Sequence, residues 1–286
     1  MTDIRTIIHR TTRDLAACGS ASPRLDAEVL LMHLLRIDRL RLVTHPEQTL
    51  TEEQAADYAR WVERRCQGEP VSYIVGVKEF WSLVIEVNRD VLIPRPETEC
   101  LIEEVLDRPA PAGDSPRIID IGTGSGAIGV VLATEIPAAK VAATDVSAAA
   151  LEVARRNALR HGVADRMELF AGDLFAASPG TFDIICSNPP YIPDGAYPLL
   201  AEGIRAFEPR GALIAGPDGT AFHRRIIREG ADRLKAGGWM YLEIGEGQRE
   251  IVEAHFRQTG FYDTIRFRKD YGGIDRIAIA RRRKDG

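Results

Sequence analysis

Apolar positions through the first 70 or so residues recur at helical spacing, with no strand pattern between them. Ile4, Ile7, Ile8 and Leu15 mark one helix. Ser22 followed by Pro23 at a first helical position opens a second, carrying Leu25, Val29, Leu30, Met32, Leu34 and Leu35. Thr51 with Gln54 three residues on has capping-box spacing, and predicts a helix through Tyr58, Trp61 and Val62 that stops near Gly68 and Pro70. Residues 1–72 are thus expected to form a small helical domain, whose expected role is recognition of a macromolecular substrate. From Tyr73 to Ile93 the pattern turns to β-branched and aromatic residues: Phe80, Trp81, Leu83, Ile85 and Val87 partly alternate, and Asn88-Arg89-Asp90 supplies a turn signal. This predicts a β-hairpin linker over residues 73–96, closed by Pro94 and Pro96. Glu97-Thr98-Glu99 then opens a helix with Leu101, Ile102, Val105 and Leu106 on its apolar face, the acidic first turn suiting the positive end of the helix dipole. Pro109, Pro111, Gly113 and Pro116 mark a loop.

Beyond that loop strands and helices alternate. Strands are predicted over 117–121, 141–144, 167–171, 182–186 and 239–244, and helices over 125–136, 147–161, 220–234 and 250–258. Such alternation implies βαβ units and a parallel sheet. The last two strands, 264–268 and 276–280, have only residues 269–275 between them. That span is too short for a crossover helix, so the pair should be antiparallel. The fold class is α/β: seven strands with a terminal antiparallel pair over residues 97–286, the ordering expected of a Rossmann-like methyltransferase sheet and less so of a dehydrogenase, with a small N-terminal helical domain and a β-hairpin linker. Residues 281–284 read as a basic, solvated tail.

The 286 residues carry a formal charge of -5, and the pI is near 5.8, which argues against a broad nucleic-acid-binding face. No apolar run approaches the roughly 20 residues that span a bilayer, so a cytoplasmic protein free of the membrane is expected. Cys18, Cys66, Cys100 and Cys186 are far apart, with no C-x-x-C pair and no His at metal spacing. Neither a metal site nor a disulfide framework is suggested, and four reduced thiols are the expectation.

Two stretches carry the chemistry. Asp120-Ile121-Gly122-Thr123-Gly124-Ser125-Gly126 lies where the first parallel strand turns into its helix, a place where glycines let backbone approach a ligand and the helix start favours an anionic group. Asp145 ends the next strand, where a carboxylate can accept bonds from ribose hydroxyls. After the third strand Asp173 could accept from an adenine amine and Phe175 could lie against the ring. Gly122, Thr123, Gly124, Ser125, Gly126, Asp145, Asp173, Phe175 and Asn188 are accordingly the candidate cofactor residues. Gly124, Gly126 and Gly129 also satisfy the G-x-G-x-x-G pattern, so a dinucleotide and S-adenosylmethionine both remain open at this point. The second stretch, Ser187-Asn188-Pro189-Pro190-Tyr191, follows an apolar strand that the prolines force out of the sheet. The side-chain carbonyl of Asn188 and the backbone carbonyl of Pro189 would form two acceptors for a planar NH2 group, with Pro190 beside them and Tyr191 offering a flat apolar face.

Taken together, Ile93 through Glu99, Asp120 through Gly126, Asp145 and Ser187 through Tyr191 resemble the peptide-chain release factor glutamine methyltransferases, the PrmC or HemK family, over essentially the whole chain. The resemblance implies methyl transfer from S-adenosylmethionine to the side-chain nitrogen of the Gly-Gly-Gln glutamine in class I release factors. It implies Asn188, Pro189 and Tyr191 as catalytic residues, a protein substrate without direct nucleic acid or membrane contact, and a monomer. Asn-Pro-Pro-Tyr is shared with DNA amino-methyltransferases and with a family acting on a ribosomal-protein glutamine; the Pro-Arg-Pro-Glu-Thr-Glu segment discriminates among them. A nucleotide-binding protein without catalysis and a dinucleotide dehydrogenase are the readings from other classes.

Overall fold

The computed structural model of the chain describes residues 2–107 and 115–284, so the loop expected at Pro109, Pro111 and Gly113 lies outside the described residues. The chain forms two units, Met1–Val77 with Ala201–Phe207, and Lys78–Leu200 with Glu208–Gly286. No helix among the described residues is long and apolar enough to cross a membrane.

The first unit contains α1 (Ile4–Ala17), α2 (Pro23–Leu35), α3 (Arg39–Thr44), α4 (Glu52–Cys66), α5 (Val71–Val75) and, from the returning segment, α9 (Glu202–Phe207). Thr51 and Gln54 form the capping box that their spacing announces, each side chain satisfying the other's backbone N–H. The short helices α3 and α5 went unpredicted because six and five residues give too little periodicity to read. Ile4, Ile7, Leu30, Leu31, Leu42, Leu50 and Tyr58 make the core, and the Tyr58 hydroxyl, buried within it, donates to the Ala27 carbonyl at 2.8 Å. The expectation of four reduced thiols fails here. Cys18, just after α1, and Cys66, ending α4, form a disulfide with their Cα atoms 5.3 Å apart, whereas Cys100 and Cys186 are free and buried.

From Val77 onward β1 (Val77–Phe80) and β2 (Leu83–Glu86) pair as a hairpin, which from Lys78 belongs to the second unit. Its turn is Trp81-Ser82, both at positive φ (52° and 58°), rather than the signal at Asn88-Arg89-Asp90, which forms a separate side-chain-closed turn after β2. Two carboxylates hold the Trp81 conformation: its backbone N–H donates to Glu99 Oε1 at 2.8 Å and its indole N–H to Glu135 Oε1 at 2.9 Å. A 3-10 turn, Pro96–Thr98, leads into α6 (Glu99–Leu106).

The sheet comprises β3 (Arg117–Ile121), β4 (Lys140–Asp145), β5 (Met167–Ala171), β6 (Phe182–Ser187), β7 (Leu234–Glu243), β8 (Tyr262–Lys269) and β9 (Asp275–Arg282), interleaved with α7 (Ala127–Glu135), α8 (Ala148–Arg160), α10 (Ala221–Arg233) and α11 (Arg249–Thr259). Strand order is β5-β4-β3-β6-β7-β9-β8, and β9 runs antiparallel to both of its neighbours, as the short final connection requires. Every residue of β6 is buried, as is every residue of α7 from Ala127 to Ala133, so the layers nearest the centre read as continuous apolar runs. β7 starts earlier than its pattern suggests. Its pairing with β6 jumps from Phe182–Leu234 to Ile184–Trp239, and Gly237 at φ 76° sits in that irregularity. The basic tail is not wholly solvated either: Arg281 and Arg282 belong to β9, and Arg281 Nε donates to Asp263 at 2.9 Å.

Candidate functional site

The strand order reverses between β3 and β6, and at the carboxyl ends of these strands lies a cavity of about 250 Å³. Its floor is the loop from β3 to α7. Gly122 and Gly124 take φ of 67° and 55°, and a Cβ on either would project into open space, so bare backbone faces the cavity there. The loop is pinned from behind: Gly122 and Thr123 donate to the Thr144 carbonyl at 2.8 and 3.0 Å, and Gly124 N donates to Asp145 Oδ2 at 2.9 Å. Beneath it Asp120 is fully buried, its Oδ2 accepting from the Thr123 hydroxyl at 2.6 Å and from Gly129 N at 3.1 Å. Burial pushes the Asp120 carboxyl up to about 6 against those two hydrogen bonds, and the nearby Asp145 charge pushes the same way as burial. Asn157, also fully buried, ties loop to hairpin: its amide donates to Ser125 O at 2.9 Å and Glu86 O at 3.0 Å, while its oxygen accepts from Glu86 N at 2.7 Å.

Across the cavity the turn after β6 presents Asn188, Pro189 and Pro190. Ser187 anchors that turn by donating to the Ile121 carbonyl of β3 at 2.7 Å. Asn188 Nδ2 donates to Thr98 Oγ1 at 3.0 Å, and the Thr98 hydroxyl donates to Glu243 Oε2 at 2.6 Å. The Pro-Arg-Pro-Glu-Thr-Glu segment is therefore a wall of the site. Pro94 and Thr98 line the cavity, and Arg95 Nη2 meets both oxygens of Glu208 at 2.6 and 2.8 Å, holding the segment that supplies Pro209, Gly211 and Ala212. Glu243, at the end of β7, is fully buried, and burial pushes its carboxyl up to about 7, opposed first by the Thr98 hydrogen bond and then by Arg276.

Of the sequence-predicted residues, Gly122, Thr123, Gly124, Ser125, Asp145, Asp173, Asn188, Pro189 and Pro190 line the cavity. Gly126, Phe175 and Tyr191 do not. Gly126 sits behind the loop, where a Cβ would stand 3.0 Å from that of Ala154. Phe175 points into the core, since Leu174 at φ 50° turns the chain and itself takes the place on the cavity wall. Tyr191 turns back toward Gly245 and Glu243, and its carbonyl accepts from Gln248 Nε2 at 2.8 Å. Asp173 lies on the exposed rim in a two-point pair with Arg225, at 3.2 and 2.8 Å. Sequence reasoning missed the apolar wall of Leu174, Phe222 and Ile226, and missed Glu243, although a carboxylate inside the apolar run Trp239-Met240-Tyr241-Leu242 was a signal.

The cavity's ionisable lining residues are Asp90, Asp145 and Asp173; no Lys, Arg or His among the described residues lines it. A cationic sulfonium with a nucleoside suits acidic groups, open glycine backbone and an apolar wall.

The PrmC N-terminal domain family matches residues 6–76 and the methyltransferase small domain family matches residues 97–214. The chain is 41% identical over 281 residues to the release factor glutamine methyltransferase of Rhodopirellula baltica, covering 95% of this chain and 93% of that one. It is 42% identical over 283 residues to the protein of the same name from Moorella thermoacetica, covering 99% of each. A methyltransferase structure from Pyrococcus furiosus aligns with a TM-score of 0.54 at 21% identity, over 79% of this chain and 99% of that one, a likeness of fold. With both of its segments matched and its length spanned by these relatives, the chain belongs to the release factor glutamine methyltransferase family.

Proposed function

We propose that this chain methylates the side-chain amide nitrogen of the Gly-Gly-Gln glutamine of class I release factors, with S-adenosylmethionine as methyl donor. The observation that carries the reading is Asn188, held at the end of β6 by Thr98 with its amide group on the wall of an acidic, glycine-floored cavity. Gly122, Gly124 and Asp145 would hold the cofactor's amino-acid and ribose parts, and Leu174, Phe222 and Ile226 its base. S-adenosylmethionine, when bound, supplies a methyl group already activated by the sulfonium.

The chain's task is placement. A carboxamide nitrogen is a poor nucleophile because its lone pair is delocalised into its carbonyl. Asn188 Oδ1 and the Pro189 carbonyl accept the two N–H hydrogens of the substrate amide, which fixes its plane and favours the positive charge that develops on nitrogen. As the new N–C bond forms, the sulfonium S–CH3 bond breaks and leaves a neutral thioether, and one of those N–H protons leaves to solvent. Tyr191 supports the turn from behind rather than packing on the substrate. The helical unit is assigned to release-factor recognition, in line with its match to the PrmC N-terminal domain family. We place the reaction in the cytoplasm, on a protein substrate, with one chain as the working unit.

The test is mass spectrometry of a release factor incubated with the protein and labelled cofactor, expecting one methyl on the Gly-Gly-Gln glutamine. Asn188→Ala should slow turnover on the order of 100-fold or more, the usual effect of losing one preorganised polar contact. Label on another residue, or near-normal turnover in folded Asn188→Ala, would refute the assignment.

A further inference from the structure

A side-chain amide can face its substrate with either its oxygen or its NH2, and the reaction needs the oxygen. The structure contains a device that makes this choice. Thr98 has one hydroxyl hydrogen, and it is given to Glu243 Oε2 at 2.6 Å. Only lone pairs remain on Thr98 Oγ1, so Asn188 must offer it an N–H, as it does at 3.0 Å. The opposite edge of the Asn188 amide, its oxygen, is thereby turned the other way. We propose that Glu243, acting through the Thr98 hydroxyl, is the positioning residue that keeps the Asn188 carbonyl oxygen directed at the substrate amide.

Both members of the relay are shielded from water. Thr98 is 4% exposed and Glu243 0%, and besides Thr98 the donor that faces the Glu243 carboxylate is the Tyr191 hydroxyl. Competing donors are thus few, and the direction of each hydrogen bond follows from whether Glu243 carries a proton. Ionised, it can only accept, and the relay runs as described. Protonated, it can donate to Thr98, which then donates to Asn188 and draws in the amide oxygen; the NH2 left in the cavity would oppose the NH2 of the substrate. The groups facing this carboxylate are Glu97 beside Thr98, Cys100 on α6, Tyr191 after β6 and Arg276 on β9, while His223 on α10 bonds the Glu243 backbone carbonyl at 2.8 Å. Burial, which brings the Glu243 carboxyl up to about 7, sets the changeover within the ordinary assay range.

This inference rests on the proposed role of Asn188, and the experiment separates the two. Turnover of the full-length protein on a release factor is measured between pH 5.5 and 9 for wild type, Glu243→Gln, Thr98→Val and Thr98→Ser. Wild-type kcat should fall about tenfold per pH unit below roughly pH 7. A glutamine at 243 can donate or accept, so it imposes no polarity; Glu243→Gln should lower kcat about 10- to 100-fold, the scale of a misplaced contact. It should also lose the acid limb, with cofactor affinity by calorimetry unchanged. Thr98→Val, whose side chain lines the cavity, should show the same loss of rate and of the acid limb whatever its cofactor affinity, and Thr98→Ser, which keeps the hydroxyl, should restore most of the rate. Independently of turnover, the Asn188 side-chain NH2 resonances, assigned by their loss in Asn188→Ala, should shift with pH near 7 in wild type and not in Glu243→Gln. Wild-type kcat and an intact acid limb in Glu243→Gln, or resonances that shift in both proteins, would overturn the relay. Full turnover in Asn188→Ala would overturn the role of Asn188 itself, with the resonances still deciding whether Glu243 orients it.

Discussion

Replacing Glu243 by Gln should make the protein more stable at neutral and alkaline pH while making it a poorer enzyme. The carboxyl is fully buried, and its proton affinity rises from the ordinary 4.5 to about 7 on folding. A carboxyl raised in this way favours the folded state below the unfolded value, and that contribution is lost as pH climbs through the folded one. At about 1.4 kcal/mol per pH unit, the interval from 4.5 to about 7 corresponds to about 3 kcal/mol. A neutral glutamine has no such dependence. Urea denaturation of both proteins from pH 4.5 to 8.5 should therefore give a difference in unfolding free energy that grows through pH 5 to 7 and is flat above about pH 8, Glu243→Gln gaining about 3 kcal/mol over that range. Other buried groups titrate in the same window. Asp120 is raised to about 6 and His223 is lowered to about 4, both chiefly by burial, but both are present in the two proteins and cancel in the difference. Parallel stability curves over pH 5 to 8 would show that Glu243 is not charged at a cost in the folded protein, and the reasoning from its burial would be wrong.

Gly126→Ala should destabilise the fold by about 1–2 kcal/mol or more, since a positive φ of 79° is combined with a contact at 3.0 Å to Ala154 Cβ. Gly124→Ala, facing open space, should instead weaken cofactor binding in calorimetry more than it lowers the melting temperature. Reducing the Cys18–Cys66 bond, which closes a 48-residue separation, should remove up to about 4 kcal/mol from the helical unit in the loop-entropy picture. Thiol titration of the denatured protein should then rise from two groups to four, and an unchanged melting curve would contradict the stabilisation. Arg95→Met leaves the Glu208 carboxylate, 2% exposed, without its cation, and should cost about 3 kcal/mol that Glu208→Gln recovers in the double variant.

The parts of this fold that were legible in the sequence are those where local pattern and tertiary position agree. Thr51 and Gln54 cap the helix they announce, and the short span between the last two strands, five residues in the structure, leaves room for nothing but an antiparallel return. The hairpin turn escaped because Trp81 and Ser82 adopt positive φ under the hold of Glu99 and Glu135, carboxylates distant in sequence. The disulfide escaped for a similar reason: only the packing of α1 on α4 brings its two cysteines together. At the site, Asn188 was identifiable because prolines fix where it must stand. Phe175 misled because an aromatic next to a cofactor loop can equally fill the core, and the choice is made by the backbone of Leu174.

The side chain of Asn157 behaves as a borrowed peptide group. Its carboxamide answers the N–H and C=O of Glu86 as a neighbouring strand would, with a second donation left for Ser125. The hairpin is in this way splinted to the floor of the cofactor cavity through one amide, and Asp at this position would forfeit both donations at once. Any redesign that shortens or re-registers the hairpin has to supply a replacement for that splint, or the glycine backbone beneath the ligand loses its brace.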